Sequence, residues 1–115
     1  MKEIVYYQKE NWKIPVLEFI NSLKLNNQKL FSKIYWKIKI LWMWLTWNDD
    51  IKFIKDKIYE LRIKNSSDIS RIFYFTYDWK MIILLHWIIK KDNKLNNKEI
   101  TIALEYKKDF LKRIW

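Results

Sequence analysis

The sequence predicts an α+β domain: an N-terminal strand and helical hairpin, a mainly antiparallel sheet of about four strands, and a C-terminal helix. Three observations predict it. Apolar residues recur at helical spacing after Pro15 and again near the C-terminus. Between these regions lie runs rich in β-branched and aromatic residues. Short polar turns join those runs, as in hairpins, giving the order βαα–βββ–α.

Taken in order, Glu3–Gln8 ("EIVYYQ") is a short β-prone segment that ends at the polar corner "KENWK". Pro15 suits the first position of a helix because its fixed φ is already helical. Val16, Leu17, Ile20 and Leu23 continue at helical spacing up to a break at Asn26–Asn27. A second helix is expected from about Gln28 to Leu45, with Leu30, Ile34, Ile38 and Leu41 along one face. After "WNDD" the period changes. "IYELRIK" from Ile58 is a strand, "NSSD" a turn, and Ile69–Tyr77 ("ISRIFYFTY") the next strand. "DWK" closes a tight hairpin into Met81–Ile89, apolar on both faces as a central strand should be. A lysine- and asparagine-rich loop, "KKDNKLNNKE", precedes a final helix from about Lys98 to Arg113. Asn97 would cap it, and Ile100, Ala103, Leu104 and Leu111 would form its core face.

The 115 residues make a single domain, residues 1–115, and half of them are apolar, enough to fold a modest core. There is no cysteine and only one histidine, so disulfide frameworks, thiolate metal sites and zinc clusters are excluded. The N-terminus is charged early and lacks an apolar signal-peptide core. The longest apolar run is about half a membrane span. A cytoplasmic protein without membrane contact is expected. The formal net charge of +10 favours polyanions as partners, although an AT-rich gene also enriches lysine.

Four features bear on chemistry. Arg62 in "YELRI" and Arg71 in "SRIFY" alternate with apolar neighbours, so a hairpin could oppose them on one face. Like charges so opposed need an anion between them, and phosphate fits two guanidinium groups. The plain alternative is a pair of solvated arginines. His86 in "LLHWIIKK" is the obvious general acid or base, or else a satisfied core histidine. Lys90 and Lys91 extend that strand. Tyr106 stands among lysines in "EYKKDFLKR", where it could stack on a base, or simply belong to an amphipathic helix. Lys64, Lys94 and Lys107 complete the candidate RNA-binding cations. Fourth, the carboxylates show no metal-binding spacing. Without glycine there is no phosphate-cradling loop either, so no cofactor is expected. Such a metal-independent basic set could cleave RNA through its own 2′-hydroxyl.

The order "NWKIPVLEFINSL … IYELRIKNSSDISRIFYF … KMIILLHWIIKK … ALEYKKDF" resembles the phage-derived branch of the RelE/HigB-like toxins, within the RelE/ParE superfamily. The resemblance covers nearly the whole chain. It implies a ribosome-dependent endoribonuclease that cuts mRNA in the ribosomal A site. It also implies inhibition by a cognate antitoxin, typically a helix-turn-helix protein. Arg62 and Arg71 would then contact the phosphate and transition state, with His86 and Tyr106 at the acid–base positions. Lys90 and Lys91 would hold the RNA backbone. A ParE-type relative would act on gyrase, and a non-catalytic basic RNA- or protein-binding module is the other alternative.

The chain has no glycine and eight tryptophans, where average usage predicts about 8 glycines. In toxins of the family it resembles, the turns "ENWKIP" and "YDWK" and the position after the histidine usually carry glycine. Trp12, Trp79 and Trp87 stand there in this chain. Two explanations are open: UGA codons that mean glycine in the source cell, or tryptophan that is real. In the second case Trp87 would place an indole beside His86, in the groove.

Overall fold

The computed structural model describes residues 3–43, 50–90 and 97–114. Strand β1 is Glu3–Tyr6, helix α1 Pro15–Asn26 and helix α2 Gln28–Trp42. Strands β2 (Ile51–Lys55), β3 (Ile58–Asn65), β4 (Asp68–Tyr77) and β5 (Met81–Lys90) follow, and helix α3 (Asn97–Arg113) ends the order. The α+β architecture is as expected, with five strands in place of about four.

Local chemistry accounts for the helix boundaries. Pro15 opens α1, where its missing N–H costs nothing. Asn27 separates the two helices with an extended backbone, and its side-chain oxygen accepts from the Leu30 N–H, capping α2. Helix α2 runs to Trp42, and the Leu45 end anticipated for it lies outside the described residues. Val16, Phe19, Ile20 and Leu23 of α1 and Leu30, Ile34, Ile38 and Leu41 of α2 form the buried stripes of the hairpin.

The sheet order is β1-β5-β4-β3-β2. Strands β2 to β5 are antiparallel neighbours, whereas β1 lies parallel to β5 with Glu3 opposite Met81. The unanticipated strand is β2, "IKFIK". It is short and lysine-bearing, as edge strands often are, so its composition does not announce a strand. The parallel edge sets the first strand beside the last, with the intervening elements serving as the crossover that a parallel pair needs.

Each face of the sheet has its own core. The hairpin packs on Leu61, Ile63, Ile72, Tyr74, Ile82 and Leu84. Helix α3 packs Ala103 against Ile58, Phe73, Phe75, Ile83 and Leu85 on the other face. Trp87 belongs to the hairpin face, its ring stacked on Phe19 at 4.0 Å and 9°. The expectation that its indole would fill the groove beside His86 is therefore corrected. Adjacent residues of a pleated strand point to opposite faces, and His86 points to the α3 side.

The turns show the consequence of a glycine-free chain. Trp12, Asp56, Lys57, Ser66, Asp78 and Trp79 all have positive φ. Among the described residues, no helix is long and apolar enough to cross a membrane.

Candidate functional site

Register places the candidate residues in rows across the α3 face of the sheet. Lys52, Glu60, Phe73 and His86 are successive partners across β2, β3, β4 and β5. Two residues further along, Arg62 faces Arg71, which faces Ile88. Two further still, Lys64 and Lys90 flank Ile69. The two-residue repeat of the pleat keeps these rows on one face. Arg62, Arg71, His86, Lys64 and Lys90 are thus brought to one side of the sheet.

Arg62 and Arg71 are held by a carboxylate from the chain itself. Arg62 Nε is 3.0 Å from Glu60 Oε1, and Arg71 Nε is 3.6 Å from the same oxygen. The anion that two opposed guanidinium groups require is supplied, in this conformation, by Glu60. Burial differs sharply within the triad. Arg71 is 0% exposed and Glu60 1%, while the Arg62 side chain is 24% exposed. Arg62 is the member that reaches solvent, and Arg71 stands behind it. Burial pushes the Glu60 carboxyl above its ordinary value, against the opposing pull of Arg71, Arg62 and Lys52.

His86 sits between β4 and α3. Its ring stacks on Phe73 at 5.8 Å and meets Tyr106 edge-on at 5.8 Å and 89°. Nε2 lies 3.5 Å from Glu99 Oε1, too long for a strong hydrogen bond. Burial lowers the pKa of His86, and nearby Glu99 opposes that only in part. The imidazole is therefore neutral at pH 7 and able to accept a proton.

Tyr106 is anchored on its other side by Tyr7, stacked at 4.8 Å, and the Lys9 ammonium lies 5.7 Å from its ring. The Tyr7 hydroxyl donates to Asp109 Oδ2 at 2.6 Å, and burial together with that carboxylate raises its pKa. Arg113 donates to Asp109 at 2.7 Å and also to the Gln8 carbonyl. These contacts fasten α3 to the exit of β1 and set the ring beside His86.

Lys107 is placed elsewhere, donating to the Asp56 carbonyl at the β2–β3 turn with its ammonium 5.2 Å from the Phe75 ring. Lys91 and Lys94 lie outside the described residues. A cavity of about 310 Å³, lined by Ile4, Tyr6, Ile20, Tyr35, Ile38, Lys39 and Trp42, lies on the hairpin side and includes none of the candidate residues. Among the described residues, no three histidine, aspartate or glutamate side chains gather to hold a metal ion.

Sequence reasoning missed Glu60, Glu99 and Lys52. Glu60 was findable, since it precedes Arg62 by two in "YELR" and must share its face. Glu99 was not, because only the docking of α3 brings it to His86.

The chain matches the family described as phage derived protein Gp49-like (DUF891) over residues 18–108. That span runs from within α1 through most of α3, and takes in Glu60, Arg62, Arg71, His86 and Tyr106. No curated protein matches the chain.

Proposed function

Since this chain belongs to the Gp49-like family of phage-derived proteins, we propose that it is the toxin of a type II toxin–antitoxin system, a HigB-like ribosome-dependent endoribonuclease. Its partners would be mRNA in the ribosomal A site and a cognate helix-turn-helix antitoxin. The observation that supports this reading is the shared sheet face, where a solvent-reaching Arg62 on β3 and a neutral His86 on β5 lie one pleat row apart, on either side of β4.

On that face the RNA chain runs over Lys64 and Lys90, and Arg62 takes the scissile phosphate. Neutral His86 accepts the 2′-hydroxyl proton. The 2′-oxygen attacks phosphorus, the charge on the phosphorane rests on Arg62, and the bond to the 5′-oxygen breaks. Tyr106, against the His86 ring, returns a proton to the leaving 5′-oxygen, leaving a 2′,3′-cyclic phosphate and a 5′-hydroxyl. Arg71 touches no substrate in this scheme. It orients Glu60 and, through it, Arg62.

Primer extension on translated mRNA after induction tests the reading. Cuts within codons at the ribosome are expected, and they should disappear with Arg62→Ala. Intact mRNA together with a DNA-damage response would point to gyrase instead. A second reading, a basic module that binds RNA without cutting it, is favoured by one observation: Glu60 occupies the arginine pair. It predicts salt-dependent RNA binding and no cleavage.

A further inference from the structure

We infer that positions 12 and 79, written as tryptophan, are glycine sites, and that the codons behind them specify glycine in the cell that makes this protein. The inference is independent of what the arginine face does. Trp12 has φ 72° and Trp79 φ 61°, both in the left-handed region. In that region Cβ crowds the following carbonyl, so bulky residues are genuine outliers there and glycine is the default.

The surroundings give tryptophan no compensation. Trp12 is 80% exposed and Trp79 81% exposed, so neither indole packs against the domain to offset the strained corner. At the β4–β5 turn Asp78 has φ 52° and Trp79 φ 61°, two successive left-handed residues as a type I′ hairpin requires. Asp-Gly is among the strongest pairs for that turn, and the chain reads Asp-Trp. Trp12 closes a corner in which its N–H donates to the Lys9 carbonyl at 3.0 Å and its own carbonyl accepts from the Gln8 side chain. Both of these bonds use the Trp12 backbone, and neither uses the indole.

Lys57 also takes a left-handed φ, 62°, after Asp56 in the β2–β3 turn, so such a corner tolerates another residue. What sets Trp12 and Trp79 apart is a large apolar side chain left in solvent at the corner, in a chain with eight tryptophans and no glycine. Trp87 differs in kind. It is not among the positive-φ residues, and its ring packs on Phe19. Its geometry gives glycine no support, and the inference stops at positions 12 and 79.

Peptide mass spectrometry of the protein purified from its source cell decides the matter. Peptides spanning positions 12 and 79 are expected to be lighter by the difference between tryptophan and glycine. Tryptophan at both positions overturns the inference. A second measurement uses a recombinant chain translated from UGG codons. Trp12→Gly and Trp79→Gly should each raise Tm, by about 3 °C or more given the strain relieved. Trp87→Gly should lower it by emptying the space over Phe19. Single variants at 12 and 79 that both leave Tm unchanged or lower would remove the physical basis of the inference.

Discussion

Arg62 and Arg71 face each other directly across β3 and β4, and a single oxygen of Glu60 lies within 3.6 Å of both Nε atoms. Two like charges share one face with a buried carboxylate standing beside them. The same contact links fold to function. It fixes Arg62 at the solvent edge, where a phosphate could reach it, and it commits Arg71 to the interior.

Removing that carboxylate should destabilise the domain. Glu60→Gln keeps the shape but leaves two cations without their shared anion, a change that costs about 3 kcal/mol or more for a buried group. Urea unfolding checks it. A loss under about 1 kcal/mol would mean that other partners of the arginines hold the triad together.

The two arginines should separate by phenotype. Arg62→Ala, at a part-exposed side chain, is expected to fold and to lose mRNA cleavage by at least tenfold. Arg71→Ala empties a fully buried site and leaves Glu60 half-compensated, so it should lose several kcal/mol of stability, about 3–5. Circular dichroism beside a cleavage assay distinguishes them. An unfolded Arg62→Ala, or an Arg71→Ala as stable as the parent, contradicts the assignment.

His86 gives a pH signature. Its folded pKa lies below the ordinary 6.5 because burial disfavours the charged ring. A depressed pKa means that the unfolded chain takes up the proton first. The stability contributed by neutral His86 is thus fully present above pH 6.5 and lost as pH falls through the lower folded value. Tm measured from pH 7.5 to 5 should fall more steeply for the parent than for His86→Gln. Parallel curves would show that the ring titrates normally.

The helical hairpin offers a local test. Asn27→Ala removes the oxygen that accepts from the Leu30 N–H at 3.1 Å and should cost about 1 kcal/mol. Asn27→Asp should restore most of it, because the carboxylate accepts the same bond and favours the positive end of α2. Chemical denaturation of the three proteins measures both effects.

Much of this molecule is decided by short-range chemistry. Pro15 and Asn27 set the helix boundaries, and the 3.6-residue spacing selects Ile34, Ile38 and Leu41 for burial. Alternation in "YELRIK" and "SRIFYF" places Arg62 and Arg71 on a common face once β3 and β4 pair. Each of these follows from residues a few positions apart, and so the sequence alone suffices for them. Other features rest on contacts between distant segments. The parallel seat of β1 beside β5, the approach of Glu99 to His86, and the Tyr7–Asp109 bond that holds Tyr106 in place all join parts far apart in the chain. Burial is of the same kind. Nothing local distinguishes Arg71 from Arg62, yet one is sealed inside and the other meets water, because exposure depends on everything packed around a side chain.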